Sequence, residues 1–108
     1  MATDSIPLRG VGIDIECVDP ASCNDDMAVT VFTASERAWI AVQPDPVRAF
    51  FTCWVRKEAY GKLLREGLSP VVAATSCTPL PPRGTHIADF VLGADHVGAL
   101  AMSGDETG

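Results

Sequence analysis

Three acidic residues occupy positions where the surrounding sequence is apolar. Asp14 and Glu16 lie two residues apart in a run that alternates with Val11, Ile13 and Ile15. In an extended strand, side chains two residues apart share one face, roughly 7 Å apart along the chain. Two like charges on a buried face repel each other and lose hydration, and a bound cation is one solution. An exposed edge strand with a polar face explains this pair alone equally well.

Glu58 is the third such residue. On a helix it projects between Phe51 and Trp54, inside an aromatic and aliphatic stripe. Lys62 follows four residues later, in the favoured order for a helical Glu–Lys pair, and an ordinary surface pair is the common explanation of that spacing. Taken together, the three acids predict an oxygen-rich site for a hard divalent ion such as Mg²⁺, which also binds phosphate oxygens.

Composition narrows the function classes. The chain has 108 residues, 47% of them apolar, and a net charge of −6, which indicates one globular domain over residues 1–108 and argues against nucleic-acid or anionic-membrane binding. No apolar run approaches the length of a membrane span. Only two lysines are present, Lys57 and Lys62. The four cysteines lack zinc spacing, so we expect reduced thiols and a cytoplasmic protein.

The first half of the pattern predicts one strand and two short helices. Residues 11–18 alternate as a strand, and residues 21–26 form a polar loop. Residues 27–32 fit either a strand or a helix, and we predict a helix. Thr33 or Ser35 then caps a helix over residues 36–42.

The second half predicts a long helix and a hairpin. The helix begins at Pro46 after the cap Asp45, runs to about Arg65, and stops at Gly67. The remaining elements are a short strand at 71–74, a loop at 77–84, strands at 86–92 and 97–102 joined by a turn at 93–95, and a frayed tail at 103–108. The predicted fold class is α+β, with a small antiparallel sheet packed on a long helix.

The ordered motifs resemble those of 4'-phosphopantetheinyl transferases. The segments that carry the resemblance are VGIDIE at 11–16, FTASE at 32–36, WVRKEAYGK at 54–62 (the W-x-x-K-E-A-x-x-K signature), EGL at 66–68, and DHVGALA at 95–101, which resembles the C-terminal strand of the Sfp type. Each motif alone is weak, but the set in this order and spacing is specific. The resemblance covers roughly residues 10–102 and implies one half of the fold of that family.

The resemblance implies a reaction and roles. Asp14, Glu16 and Glu58 would hold Mg²⁺ against the pyrophosphate of coenzyme A. Glu58, or a water it orients, would take the proton from a serine of an apo acyl or peptidyl carrier protein. Lys62 would contact the pyrophosphate and ease departure of 3',5'-adenosine bisphosphate. Lys57 would be a second phosphate contact. Charge neutralisation and alignment are what such a phosphoryl transfer requires.

Two further expectations concern Arg65, which departs from the motif of the family, and Trp54, which lies within it. The family usually has glycine at the position of Arg65, so this arginine is expected to avoid a left-handed backbone, and it is a candidate extra cofactor contact. Trp54 is expected to be structural, beside Glu58. Fatty-acid, polyketide and peptide synthases all remain open as sources of the carrier.

The length of the chain implies a partner. Sfp-type enzymes resemble two similar halves in one chain, and this sequence resembles the second half only. The shorter holo-acyl-carrier-protein synthase type builds its sites between subunits of a homotrimer. We therefore expect a homo-oligomer or a complementary half. The alternative is a non-catalytic half-domain that binds a partner half or a carrier without independent activity.

Overall fold

The computed structural model describes residues 8–104, with side chains from Gly10 onward. The elements in chain order are strand β1 (Leu8–Cys17), a short 3-10 helix (Pro20–Ser22), helices α1 (Asp25–Val31), α2 (Ala34–Ala41), α3 (Pro46–Leu63) and α4 (Pro70–Ala73), and strands β2 (Thr85–Leu92) and β3 (His96–Gly104). The architecture is α+β, as the sequence predicts.

The sheet is antiparallel, with the strand order β1-β3-β2. The predicted hairpin of β2 and β3 is confirmed, with Gly93 in its turn at a φ of +67°. The register places Asp14 opposite Ala99 and Glu16 opposite Val97. β1 therefore lies at an edge of this sheet and not at its centre, where a strand that is otherwise this apolar is expected.

Helix α3 is the element against which the sheet packs. Asp45 caps it by accepting a hydrogen bond from the backbone of Arg48 at 3.1 Å, and Pro46 opens it, as predicted. The helix packs against β1 and β3. The shared core is aliphatic and aromatic, and it includes Phe50, Phe51, Val55, Ala59, Val97, Ala99 and Ala101.

The C-terminal end of α3 closes with a left-handed residue. Arg65 adopts a φ of +60°, and its N–H donates to the Lys62 carbonyl while that of Glu66 donates to Gly61. This pair of bonds is a Schellman motif, in which glycine is the usual left-handed residue. The expectation that Arg65 avoids this conformation is wrong. Gly67, also at positive φ, continues the turn rather than ending the helix.

Three sequence predictions need adjustment elsewhere. Residues 70–73 form α4 rather than a strand, because Ser69 accepts from the backbone of Val72 and Pro70 opens the turn. Residues 27–31 are helical as predicted, but α1 begins earlier, at Asp25 after the cap Asn24, and ends before Phe32. Ser103 and Gly104 belong to β3, and the rest of the predicted frayed tail lies outside the described residues.

The four cysteines carry free thiols, as expected. No helix within residues 8–104 has both the length and the apolarity required to cross a membrane.

Candidate active site

β1 turns its acidic face toward α3 and its apolar face away. Asp14 is only 8% exposed, whereas Val11, Ile13 and Ile15 are 53%, 49% and 43% exposed. Gly12 permits this, because a Cβ at Gly12 would lie 2.0 Å from a backbone oxygen of α3. The helix therefore approaches the strand at backbone contact, and the acids line the seam between the two elements.

Lys62 crosses this seam to Asp14. Its Nζ lies 2.9 Å from Asp14 Oδ1 and 3.1 Å from the carbonyl oxygen of Ile13. The hydrogen bond to Asp14 raises the pKa of Lys62. The other carboxylate oxygen, Asp14 Oδ2, is buried and has no hydrogen-bond partner among the described residues. One oxygen of this carboxylate thus stays open to a cation.

Glu58 and Glu16 share the electrostatic environment of Asp14. Burial raises the pKa of Glu58, the charge of Asp14 adds to the effect, and Lys62 opposes it. Burial also raises the pKa of Glu16, again with a contribution from Asp14, and the Trp54 indole acts in the opposite direction. The charge of Asp14 thus disfavours the ionised forms of Glu16 and Glu58, which is the electrostatic condition that a bound divalent ion relieves.

The acids do not form a closed ligand cage. Within residues 8–104, no three His, Cys, Asp or Glu side chains stand close enough together to hold a metal ion as they are. The donor set nonetheless fits Mg²⁺, which takes one or two carboxylates and keeps waters or phosphate oxygens for its other positions. Asp14 Oδ2 supplies an oxygen free of hydrogen bonds.

Trp54 forms one wall of a cavity beside the acids. Its ring stacks on Phe50, with centroids 6.5 Å apart and planes 6° from parallel. The cavity has a volume of about 600 Å³, and Glu16, Met27 and Asp95 also line it. Trp54 is therefore both a packing residue, as the sequence predicts, and part of a surface that adjoins the acids.

Lys57 lies away from the acids. Its side chain is fully buried and its Nζ is 2.9 Å from Glu36 Oε1. It also donates to the carbonyl oxygens of Val72, Ala73 and Thr75. An ammonium has three protons, and these acceptors use them all. The prediction that Lys57 contacts phosphate conflicts with this placement.

Glu36 is the residue whose role sequence reasoning missed. Its side chain accepts from the backbone of Thr33 at 2.9 Å and from that of Cys77 at 2.6 Å, besides pairing with Lys57. The Thr33-x-x-Glu36 spacing of a capping box was the available signal. It indicates the cap but not the distant partner.

Among residues 10–104, the arginines that form side-chain hydrogen bonds form them away from the acids. Arg65 is exposed at the end of α3. Arg56 pairs with Asp89, Arg37 donates to the Phe32 carbonyl, and Arg48 donates to that of Ala94. Among the side chains described in the structure, Lys62 is the cation hydrogen-bonded to the acidic group.

A family comparison gives the context for this site. Residues 10–102 match the model of the 4'-phosphopantetheinyl transferase superfamily. The chain belongs to this superfamily. A search of curated proteins gives no significant match. Membership implies a transferase of the phosphopantetheinyl kind, and the segments that carry the site residues all fall inside the matched range.

Proposed function

We propose that the chain transfers 4'-phosphopantetheine from coenzyme A to a serine of an apo acyl or peptidyl carrier protein in the cytoplasm, with Mg²⁺. The observation that carries the proposal is the α3–β1 seam. There Asp14, Glu16 and Glu58 share one electrostatic environment beside Lys62, and Asp14 Oδ2 lacks a hydrogen-bond partner. The reaction forms a bond between phosphorus and the serine oxygen, breaks the pyrophosphate bond, and releases 3',5'-adenosine bisphosphate.

Asp14, Glu16 and Glu58 are the residues that would hold Mg²⁺. When bound, this ion neutralises the charge that develops on the diphosphate oxygens. Lys62 adds a positive charge at the same seam and is half-exposed, so its ammonium reaches solvent and substrate. A lysine there acts as a point charge on phosphate.

Glu58 is the residue best placed to accept the proton of the serine. Burial raises its pKa, and a carboxylate with a raised pKa is a stronger base near neutral pH. The proton moves from the serine oxygen to Glu58, or to a water that Glu58 orients, as the oxygen attacks phosphorus.

The cavity beside Trp54 suits an uncharged group. Its walls are apolar at Met27 and Phe51 and acidic at Glu16, Asp19 and Asp95, and acids repel phosphates. We assign it to the pantetheine arm or to the carrier segment that bears the serine. The nucleotide requires further cations, and among the described basic side chains only Lys62 is hydrogen-bonded to an acid of the seam.

A partner would supply those cations, and the outer face of the sheet indicates where it docks. We define the outer face as the side opposite α3, whose apolar residues include Val11, Ile13, Ile15, Phe90, Leu100 and Met102. Cys17, His86 and His96 are its only hydrophilic side chains among the described residues. An exposed apolar patch of this kind marks an interaction site. We propose a second copy of this chain as the partner, because a face whose described side chains include no acid avoids the repulsion between two chains of net charge −6.

The transfer assay follows the mass of an apo carrier incubated with the protein, coenzyme A and Mg²⁺. The proposal expects a phosphopantetheine adduct that requires the metal. Glu58→Gln should lower the rate by about a hundredfold or more. The matched control Glu66→Gln, an exposed acid after α3, should leave the rate unchanged. A fully active Glu58→Gln variant would contradict the assigned role.

Sedimentation tests the partner. The wild-type chain should sediment as a dimer or larger species, and Ile13→Glu should shift it to monomer by placing a charge on the outer face. Val42→Glu changes an equally apolar but separate exposed position and should leave the assembly intact. A wild-type monomer with transfer activity would overturn the need for a second copy.

A second function is favoured by one observation. Because no three acids in the described chain stand close enough to hold a metal as they are, a non-catalytic half-domain that binds a partner half or a carrier is the alternative. Absence of the adduct at every protein concentration, together with retained carrier binding, would select it.

A further inference from the structure

The Glu36–Lys57 ion pair is buried at the junction of three segments. Both side chains are fully buried and the atoms Nζ and Oε1 lie 2.9 Å apart. Replacing a buried ion pair by apolar side chains of similar volume is often neutral or stabilising. Stability alone therefore does not explain why the molecule holds this pair, and its geometry is the better guide.

The pair ties α3 to both of its neighbours. Lys57 binds the carbonyl oxygens of Val72, Ala73 and Thr75, at the C-terminal end of α4. Glu36 binds the backbone N–H of Cys77 at 2.6 Å and caps α2. One charged cluster thus holds the start of α2, the middle of α3 and the chain after α4 at a single point.

Lys57 immediately precedes Glu58 on α3. Successive residues on a helix are separated by about 100° around its axis, so the direction of the Lys57 side chain fixes the direction in which Glu58 leaves the helix. Lys62, four residues beyond Glu58, lies on the same side as Glu58. A rotation of α3 that moved Lys57 out of its cluster would turn both residues away from β1.

The distance between α3 and β1 is fixed separately. A Cβ at Gly12 would lie 2.0 Å from the Ala59 carbonyl oxygen and 2.5 Å from the Leu63 nitrogen, and a Cβ at Gly61 would lie 2.2 Å from the Gly67 carbonyl oxygen. Gly12 sets how closely the backbones of α3 and β1 approach, and Gly61 sets how closely the turn after α3 approaches the helix. They do not prevent the helix from turning about its axis, whereas a directional ion pair with four acceptors does.

We infer that Glu36 and Lys57 are positioning residues: their buried pair fixes the rotation of α3 and thereby aims Glu58 and Lys62 at Asp14 and Glu16. This inference rests on the proposed function for its consequence in metal binding. Neither residue touches substrate or metal, and Lys57 acts through its neighbour on the helix rather than on phosphate.

The test replaces the pair without changing net charge. The double variant Glu36→Gln/Lys57→Met keeps both side chains unbranched up to their ends and similar in size, and the matched control Arg56→Met/Asp89→Asn removes the partly exposed ion pair of the adjacent residue on α3. Mn²⁺ affinity is measured by electron paramagnetic resonance on proteins whose circular dichroism is native. We expect binding weakened about tenfold or more in the Glu36/Lys57 variant and unchanged in the control. Unchanged affinity in both variants, or equal losses in both, would overturn the inference.

A second variant and a second measurement test the inference even if the double variant does not fold or the proposed function fails. If the double variant does not fold, Glu36→Asp shortens one side chain by a methylene and should fold with weakened Mn²⁺ binding, and wild-type affinity in Glu36→Asp overturns the inference. If the wild-type protein binds no Mn²⁺, the proposed function fails. Nuclear Overhauser contacts between Gly12 and the Leu63 amide then decide alone: their loss in Glu36→Asp upholds positioning, and their retention rejects it.

Discussion

Lys62 Nζ lies 2.9 Å from Asp14 Oδ1, and this contact joins α3 to β1 at the acidic seam. Asp14 is nearly buried, while Lys62 is half-exposed. The second oxygen of the carboxylate has no hydrogen-bond partner within the described part of the chain. Lys62 therefore satisfies Oδ1 of the carboxylate, and Oδ2 remains without a partner and could bind a cation.

Replacing Lys62 should destabilise the protein in a way that a divalent ion repairs. Lys62→Met leaves the Asp14 carboxylate without its partner, and an unsatisfied buried group costs about 1–3 kcal/mol. Urea unfolding should show this loss without metal and a smaller loss with Mg²⁺. Arg83→Met, at an exposed position in the loop before β2, is the control. Equal losses for Lys62→Met with and without Mg²⁺ would count against a metal at Asp14.

Gly12→Ala should separate α3 from β1. The new Cβ would meet backbone atoms of α3 at 2.0 and 2.5 Å, which no side-chain rotation relieves. We expect a loss of about 3 kcal/mol or more in unfolding free energy. Gly104→Ala is the control, because nothing lies within 4 Å of a Cβ there. A Gly12→Ala variant as stable as the control would show that the close approach is not required.

Arg65→Gly should stabilise the protein. The left-handed conformation at Arg65 costs an L-residue roughly 1–2 kcal/mol, and glycine loses some of that gain through greater entropy in the unfolded chain. The net gain in unfolding free energy should be roughly 0.5–1 kcal/mol by thermal or urea unfolding. Glu66→Gly, one residue later, should give no gain. Destabilisation by Arg65→Gly would indicate that the arginine side chain makes a stabilising contact.

The contribution of Glu58 and Glu16 to stability without metal should fall as pH rises above about 4.5. The pKa of Glu58 and that of Glu16 are raised from 4.5 in the folded protein, first by burial and then by Asp14. The native state then binds more protons than the unfolded state in the window just above that value. Their stabilising contribution to the unfolding free energy is therefore fully present below pH 4.5, and it is lost as the pH rises through the window.

Glu58→Gln checks this pH dependence. The amide does not titrate, so the unfolding free energy should decline less between pH 4.5 and pH 7 than in the wild-type protein, as measured by urea unfolding in metal-free buffer. Glu66→Gln should keep the wild-type slope. Parallel curves for wild type and Glu58→Gln would show that Glu58 is hydrated like an ordinary surface acid.

The elements with local signals were predictable from the sequence. The Asp45-Pro46 cap fixes the start of α3, and Gly93 with Asp95 marks the hairpin turn, because these residues favour such backbone conformations on their own. The four-residue helix α4 was not predictable in the same way. Its Val71 and Val72 favour strands, and the cap at Ser69 overrides that preference.

The residues of the candidate site could be proposed from the sequence, but the face on which they lie could not. Alternation places Asp14 and Glu16 on one face, but it does not state which face meets the helix. Gly12 decides that by admitting α3, so the acids turn inward and Ile13 turns outward. The burial of Lys57 could not be predicted from the sequence, because it depends on Glu36. That residue is distant in the chain and is adjacent to Lys57 only in the fold.

Divalent-ion binding by acid variants tests the central claim most directly. Mn²⁺ titrations followed by electron paramagnetic resonance on Asp14→Asn, Glu16→Gln, Glu58→Gln and the control Glu66→Gln measure whether one ion needs all three carboxylates. The account predicts one ion per wild-type chain, affinity lowered by about tenfold or more in each of the three seam variants, and wild-type affinity in the control. Wild-type affinity in the Glu58→Gln variant, with Asp14→Asn and Glu16→Gln impaired, would place the helix glutamate outside the metal site and contradict the account.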